Sequence, residues 1–210
     1  MNKGFLRASG DIIVYLNADD YFLPGAFSSV VGAFEKGAVF VVGNVLIKSE
    51  RTGTERLNRP RVTLEGMLRH WEQDSFCHNP CGYFYRREVQ VNCPYNTDNE
   101  YTMDLEFLLA AAARYKFTKI EAILGCYMDD LNAKTHMSQI DSGYWQPSTF
   151  SYLDKYIEAL PKKERDKFRA DQKAGYKKIE SYWQRMEKKR TVVSPETLSY
   201  IAKWLKKFLK

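Results

Sequence analysis

Apolar and polar positions form short blocks along the first two thirds of the chain. The first clear block, Ile12-Ile13-Val14-Tyr15-Leu16, is an uninterrupted apolar run between the polar residues Asp11 and Asn17. A run of this length and kind is typical of a strand that is buried on both faces of a sheet. The sequence therefore predicts a buried strand over residues 12–16.

Further blocks repeat this strand pattern and alternate with segments of helical character. Strands are predicted at 39–42 with a continuation over 45–47, at 82–85 and at 120–126. Helices are predicted at 26–35, 63–71 and 102–115. Strands that alternate with helices favour an α/β layered fold with a largely parallel sheet.

The pattern changes after about residue 145, where helical segments follow one another without intervening strands. Helices are predicted at 148–160, 162–190 and 194–209. Ser194-Pro195-Glu196 is a typical helix start, with an N-cap residue, a proline at the first position and an acid in the first turn. We therefore expect two parts, an α/β domain over 1–145 and a helical extension over 146–210.

Composition places the chain among soluble globular proteins, and charge separates its two ends. The 210 residues are 44% hydrophobic and 28% charged, and no run of 18 apolar residues is present. The first residues resemble no secretory signal. Residues 1–154 hold 15 Lys and Arg against 19 Asp and Glu, whereas residues 155–210 hold 17 against 7. The basic C-terminal part suggests an anionic neighbour, either a membrane surface or a nucleic acid.

Four cysteines occur without a CxxC spacing, at Cys77, Cys81, Cys93 and Cys126. A chain of this size does not need disulfides for stability, so we expect reduced thiols in a cytosolic protein. Cys77-His78-x-x-Cys81 could form half of a metal site, but no second half is visible. Buried structural cysteines are the simpler interpretation.

Two adjacent carboxylates, Asp19 and Asp20, follow the first predicted strand. Neighbouring carboxylates repel each other and resist desolvation, so a compensating group is expected. One interpretation is a simple turn cap. A phosphatase would need its nucleophilic aspartate where Asn17 stands, which argues against that class. The third interpretation is a site where Mg²⁺ or Mn²⁺ bridges carboxylate and diphosphate.

The surrounding residues favour the third interpretation, because they resemble the middle of family 2 glycosyltransferases. The resemblance is dense over residues 2–27 and looser as far as about residue 130. It rests on these segments: Asn2-Lys3-Gly4, Ala8-Ser9-Gly10-Asp11, Leu16-Asn17-Ala18-Asp19-Asp20, Pro24-Gly25, His78-Asn79-Pro80, Tyr83-Phe84-Tyr85-Arg86-Arg87 and Met103-Asp104-Leu105-Glu106-Phe107. Such enzymes have a GT-A fold, use nucleotide-sugar donors and invert the configuration of the transferred sugar.

The resemblance implies a set of site residues. Asp19, with Asp20 as second choice, would bind Mn²⁺ or Mg²⁺, and the residues expected around the donor diphosphate are Asn2, Lys3, Asn17, Asp19 and Asp20. Asp104 would be the general base that deprotonates the acceptor, and Glu106 is the fallback. Asn17 stands where the family more commonly has aspartate. An acid in the first turn of a helix also fits Asp104 as a simple helix acid.

Two histidines are further candidates for contacts with acceptor or sugar. His78 precedes the Asn79-Pro80 segment, and a structural hydrogen-bonding role is its alternative. His136 lies where related enzymes often carry a histidine-containing loop, near metal or diphosphate.

The resemblance also implies that the domain is N-terminally incomplete. In the family, the segment before the Asn2-Lys3-Gly4 motif supplies the first strands and the acidic residues that bind the nucleotide base. We therefore expect this chain alone to bind nucleotide sugar poorly and to be inactive or weakly active. A shortened sheet would also expose strand edges and favour self-association.

The function predicted from the sequence is metal-dependent transfer of a sugar from a nucleotide-sugar donor to a glycan or lipid-linked acceptor in polysaccharide biosynthesis. We expect a cytoplasmic protein, with residues 194–210 suited to peripheral binding at an anionic membrane. Two alternatives remain open: a non-catalytic binding module on a degenerate scaffold, and a metal-dependent nuclease. The nuclease is disfavoured because the basic charge is distant in sequence from the acids, and nucleic acid is not the expected partner.

Overall fold

A computed structural model of the chain describes residues 1–50, 53–99, 101–129 and 147–191. The helices are α1 (Asn2–Arg7), α2 (Ala26–Glu35), α3 (Leu64–Leu68), α4 (Arg87–Asn92), α5 (Met103–Ala112), α6 (Asp154–Ile157) and α7 (Lys162–Thr191). The strands are β1 (Ile12–Ile13), β2 (Tyr21–Phe22), β3 (Phe40–Ser49), β4 (Thr54–Asn58), β5 (Tyr83–Arg86) and β6 (Phe117–Asp129). Two 3₁₀ segments, Pro80–Gly82 and Pro147–Leu153, precede β5 and α6.

The six strands form one mixed sheet in the order β1-β5-β3-β6-β2, and β4 pairs with the far half of β3. The central pair, β3 and β6, is parallel and extends from Phe40 opposite Phe117 to Ser49 opposite Asp129. The chain directions make β1, β3 and β6 end at the same side of the sheet. In open α/β sheets, ligands bind in the crevice beyond such carboxyl ends.

The α/β class with a mixed sheet is confirmed, but the expectation of a largely parallel sheet is wrong. Among the described strands only β3 and β6 pair in parallel, and the pairings of β1 with β5, β2 with β6, and β3 with β4 and β5 are antiparallel. The parallel prediction assumed that each helix carries the chain back to the same side of the sheet. The short α3 and the following loop instead bring the chain into β5 from the opposite end.

The first strand is shorter than predicted. The pattern over residues 12–16 predicted a strand buried on both faces, but β1 is Ile12–Ile13 and Leu16 is 46% exposed. Among the described residues β1 pairs with β5 and has no neighbour on its other side. An edge position leaves the outer residues of an apolar run without a second strand to cover them.

Hydrophobic residues pack on both faces of the sheet. One face carries the larger core, where Phe40, Tyr83 and Tyr85 lie against Phe107 of α5. The other face is covered by α2 and carries a smaller core of Ala26, Val30, Phe34, Val41, Phe84 and Leu124. The four cysteines are buried free thiols, as the sequence indicated.

The C-terminal helices contribute to the larger core. Phe150, Leu153 and Ile157 are buried with it, and so is Phe168 of α7. The predicted helix over 194–209 lies outside the described residues. Within the part of the chain that the structure describes, none of the helices combines the length and hydropathy needed to cross a membrane.

Candidate active site

The two adjacent aspartates have opposite environments. The chain leaves β1 at Ile13, turns, and enters β2 at Tyr21, which pairs with β6. A backbone hydrogen bond from Asp20 to the Asn17 carbonyl closes the turn. Asp20 is 7% exposed, whereas Asp19 is exposed to solvent. The turn therefore directs one carboxylate into the protein and the other outward.

Asp20 accepts three hydrogen bonds from three different segments. Its Oδ2 accepts from Asn79 Nδ2 at 2.8 Å and from Asn17 Nδ2 at 2.9 Å, and its Oδ1 accepts from the Met128 N–H at 3.1 Å. Hydrogen bonds to an ionised acceptor are stronger than neutral ones, and a buried carboxylate needs them. Asp20 therefore fixes the Asn17–Asp20 turn to β6 and to the segment before β5.

Asp19 is held at the surface by its anchored neighbour. Its carboxylate makes no hydrogen bond or ion pair with any described residue. Several carboxylates lie near the Tyr127 hydroxyl: burial, together with the charges of Asp129, Asp20 and Asp19, raises the pKa of Tyr127 to about 12. Negative charge therefore collects where β6 ends, beside the Asp19–Asp20 turn.

The donor set at this turn fits the kind of divalent site in which substrate supplies most ligands. Mg²⁺ is commonly held by one or two carboxylates together with substrate phosphates, rather than by a full protein cage. Asp19 offers an unpaired carboxylate, and Asp20 offers the remaining lone pairs of an engaged one. The described residues contain no cluster of three or more His, Cys, Asp or Glu side chains that could hold a metal ion alone.

Asp104 lies in the first turn of α5, in surroundings of low polarity. The Tyr83 hydroxyl donates to Asp104 Oδ1 at 3.2 Å, and it lies 3.2 Å from the Tyr95 hydroxyl. Desolvation raises the pKa of Asp104 to about 6, and the hydrogen bond from Tyr83 opposes that rise. A carboxylate with a pKa near 6 is a stronger base than an ordinary aspartate and is still ionised at neutral pH.

One short segment connects Asp20 with Asp104. Asn79 contacts Asp20, and Tyr83, four residues later, contacts Asp104. Burial, with a smaller contribution from the Asp104 carboxylate, raises the pKa of the Cys77 thiol to about 12. Burial also raises the pKa of Cys81, and Asp20 contributes there. The two carboxylates therefore both approach the segment 77–83.

Glu106 has different surroundings from Asp104, although it is only two residues away. Two residues along a helix correspond to about 200° of rotation, so the two side chains leave α5 on nearly opposite sides. Glu106 accepts hydrogen bonds from Asn99 Nδ2 at 2.8 Å and Asn96 Nδ2 at 3.2 Å. Asn99 in turn accepts from the Thr102 N–H at the start of α5. Glu106 holds the loop that enters the helix, and the structure does not bring it to Asp104.

Asn2 and Lys3, which were expected near the donor diphosphate, differ in exposure. The Asn2 side chain donates to the Tyr95 carbonyl at 2.8 Å and accepts from the Tyr95 N–H at 3.2 Å. It also accepts from Gln90 Nε2 at 3.3 Å, so its amide is engaged within the protein. Lys3 is exposed on α1. Their roles toward a donor stay predictions.

Of the two candidate histidines, the structure describes one. His78 is exposed, its ring centroid lies 4.3 Å from that of Phe76, and its backbone N–H donates to Asn58 Oδ1 at 3.4 Å. His78 lines a large cleft, and its neighbour Asn79 holds Asp20. His136 lies outside the described residues.

Sequence reasoning missed the groups that position the two aspartates. Asn79 and Tyr83 both belong to segments that carry the family resemblance, but nothing in their pattern indicates a bond to Asp20 or Asp104. Tyr95 follows a proline in a polar loop and gives no periodic signal. The Met128 N–H is a backbone donor and has no signal in the side-chain sequence at all.

Comparison with known proteins relates the N-terminal part of the chain to one protein family. A model of the family "Glycosyl transferase family 2" matches residues 1–91, which include the Asp19–Asp20 turn, Asn79 and Tyr83. A search of curated proteins found no match. The mixed sheet with helices on both faces is consistent with a GT-A-like fold. The match supports a family 2 glycosyltransferase domain over residues 1–91.

Proposed function

We propose that the protein transfers a sugar from a nucleotide-sugar donor to a glycan or lipid-linked acceptor, with inversion and with the help of Mn²⁺ or Mg²⁺. The observation that carries this proposal is the paired arrangement of aspartates around segment 77–83. An exposed carboxylate, Asp19, stands on a turn anchored by Asp20, and a basic carboxylate, Asp104, approaches the same segment.

In the proposed reaction Asp104 removes the proton from the acceptor hydroxyl. The acceptor oxygen forms a bond to the anomeric carbon while the bond from that carbon to the diphosphate oxygen breaks. The electron pair leaves with the nucleoside diphosphate, and the proton stays on Asp104. Desolvation of Asp104 favours its protonated product state, so the raised pKa assists this transfer.

The leaving diphosphate needs positive charge close by. A divalent ion held by Asp19, with Asp20, would act as the Lewis acid that stabilises the departing phosphate oxygens. Asp20 has a second contribution of its own, because its three hydrogen bonds fix the position of the turn that carries Asp19. Positioning of this kind lowers the cost of ordering the site during reaction.

Release of nucleoside diphosphate from a panel of nucleotide sugars, with mixed glycan and polyprenyl-phosphate acceptors, tests the proposal. Because this chain alone is expected to bind nucleotide sugar poorly, we expect slow release that depends on Mn²⁺ or Mg²⁺ and on acceptor. Asp19→Asn should lower the rate of this release. Its matched control is Asp11→Asn, which changes an exposed aspartate at the other end of β1. Metal-dependent cleavage of single-stranded DNA or RNA without any nucleotide-sugar turnover would instead favour the nuclease alternative.

A further inference from the structure

A second concave surface lies between helix α7 and the segment after α3. Its volume is about 920 Å³. The lining residues come from β4, from the segment 69–73, from His78 and from the exposed face of α7: Arg56, Arg69, His70, Trp71, Glu72, Gln73, His78, Asp171, Ala174, Gly175, Lys178 and Ile179. We refer to this surface as the Trp71 cleft. Its volume is within the range of ligand sites in proteins.

Trp71 forms a fixed aromatic wall of the cleft. The indole makes edge-on ring contacts with Phe168 at 5.3 Å and Tyr176 at 6.0 Å between centroids. Gly175 lies directly against it, since a Cβ atom at that position would clash with Trp71 Cδ1. The indole N–H donates to no acceptor within the described residues. A rigid aromatic side chain with an unused donor is a common feature of sites that bind amphipathic ligands.

The side chains that line the cleft include both cations and carboxylates, but the carboxylates are neutralised by ion pairs. Arg69 lies 3.2 Å from Asp171 and 3.6 Å from Glu72, and Glu72 also pairs with Arg61 at 2.6 Å. Lys178 makes no ion pair with any residue that the structure describes. The Trp71 cleft therefore presents excess positive charge beside carboxylates that can still accept hydrogen bonds.

Arg56 adds to this excess. Its guanidinium is exposed and reaches Asp74 only at 3.5 Å, which is a long and weak contact. Arg56 and Lys178 belong to different elements, β4 and α7, so the two cations lie on different walls of the cleft.

His70, at the base of the Trp71 cleft, does not contribute positive charge. Its ring stacks on Phe150 with centroids 4.2 Å apart, and its two nitrogens lie 3.2 Å from the Leu68 carbonyl and 3.2 Å from the Tyr176 hydroxyl. Burial lowers the pKa of His70 to about 4, so the ring is neutral at physiological pH. The excess positive charge of the cleft therefore comes from Arg56 and Lys178.

The Trp71 cleft and the Asp19–Asp20 turn are both contacted by neighbouring residues of one segment. His78 lines the cleft, and the following residue, Asn79, donates to the Asp20 carboxylate at 2.8 Å. The cleft and the turn are thus connected through the backbone of residues 78 and 79. The C-terminal wall, from Asp171 to Ile179, lies outside the 91 residues that the family model matches.

We propose that the Trp71 cleft binds an oligosaccharide that carries an anionic group, and that this saccharide is the acceptor; the second statement rests on the proposed function. The part of the half-buried indole that Gly175 leaves uncovered suits the apolar face of a sugar ring, and the paired carboxylates of Glu72 and Asp171 can accept from its hydroxyl groups. Arg56 and Lys178 suit a carboxylate, sulfate or phosphate on the saccharide. A nucleic acid is less well matched, because carboxylates lie within the cleft and would face its closely spaced phosphates.

Binding of oligosaccharides of equal length, with and without acidic groups, tests this proposal. The panel contains neutral, carboxylated, sulfated and phosphorylated oligosaccharides and a single-stranded RNA oligomer, measured by calorimetry and tryptophan fluorescence. We expect at least one anionic saccharide to bind, and Lys178→Glu to weaken that binding about tenfold or more. Trp71→Phe should remove most of the fluorescence change. The matched control is Lys177→Glu, an exposed lysine of the same helix outside the cleft, with an effect of no more than about twofold.

Several results would overturn the proposal. They are equal binding of neutral and anionic saccharides, no saccharide binding at all, equal losses in Lys178→Glu and Lys177→Glu, or RNA binding tighter than any saccharide through Lys178. Circular dichroism and thermal unfolding identify a variant that has lost its fold. Arg56→Ala on β4, against Arg59→Ala just after this strand, then repeats the comparison. Because binding is measured without donor, failure here leaves nucleotide-sugar turnover untouched, and failure of turnover leaves saccharide binding measurable.

Discussion

Asp20 is buried and Asp104 is half-buried, and both lie beside the same segment, 77–83. Their environments nevertheless differ in kind. Asp20 is satisfied by two side-chain amides and a backbone N–H. Asp104 has one hydroxyl donor, Tyr83, and otherwise desolvating neighbours that raise its pKa to about 6. The first environment stabilises negative charge and fixes a turn. The second leaves a carboxylate that gains stability by taking up a proton, which is what a general base requires.

The largest expected effect is loss of transfer in Asp104→Asn. The amide keeps the shape of the side chain and can still accept from Tyr83, but it cannot take up the acceptor proton. We expect the rate of transfer to fall about 10²–10⁴-fold. Glu106→Gln is the matched control, because Glu106 lies on the same helix and faces the Asn96–Asn99 loop. A loss in Glu106→Gln as large as that in Asp104→Asn would contradict the assignment.

The same variant should change stability in the opposite direction. The folded-state pKa of Asp104 is raised from 3.8 to about 6, so the folded protein binds more protons than the unfolded chain between those values. Its free energy of unfolding therefore falls as pH rises through that window and stays lower above it. Asp104→Asn should be more stable than the parent by about 3 kcal/mol at pH 8 and equal to it near pH 3. Urea unfolding at both pH values measures this difference. A variant less stable than the parent at pH 8 would contradict the desolvation of Asp104.

Removing the Asp20 carboxylate should mainly lower stability. Asp20→Ala leaves buried Asn79 Nδ2 and the Met128 N–H without their acceptor, which we expect to cost about 3 kcal/mol in the free energy of unfolding. Asp19→Ala, at the neighbouring exposed position, should change it by no more than about 0.5 kcal/mol. Chemical denaturation of both variants decides the point. Equal costs at the two positions would mean that the turn is not anchored through Asp20.

The smallest effect concerns the hydroxyl of Tyr83. Its hydrogen bond favours the ionised form of Asp104, so Tyr83→Phe should raise the pKa of Asp104 above about 6. The acidic limb of the pH–rate profile, which reports this base, should move upward by about 0.5–1 pH unit. A merely structural role of Tyr83 would lower the rate equally at all pH values and leave the limb in place.

Local patterns in the sequence predicted much of the fold. The helices α2 and α5 and the strands β3, β5 and β6 lie within or around the segments predicted from apolar runs and helix propensity. Pairing direction could not be predicted, because a strand has the same pattern in a parallel and an antiparallel pair. The shortening of β1 likewise depends on its edge position, which is a property of the whole sheet.

The sequence predicted which acids belong to the candidate site, but it did not predict the different environments of Asp19 and Asp20. Asp19, Asp20 and Asp104 came from the resemblance, and their roles toward metal and acceptor stay predictions. That Asp20 is enclosed and Asp19 exposed follows from contacts with Asn79 and Met128, which lie 59 and 108 residues away in the chain. Such long-range partners leave no trace in a local pattern. The pKa of Asp104 depends in the same way on Tyr83, 21 residues earlier.

Binding of Mn²⁺ in the presence of a nucleoside diphosphate tests the central assignment most directly. Electron paramagnetic resonance of free Mn²⁺ gives the affinity for the parent protein, for Asp19→Asn and for Asp11→Asn. If Asp19 is the exposed metal ligand, Asp19→Asn should weaken binding about tenfold or more, whereas Asp11→Asn should leave it unchanged. Equal affinity in all three proteins would contradict a metal–diphosphate site at the Asp19–Asp20 turn.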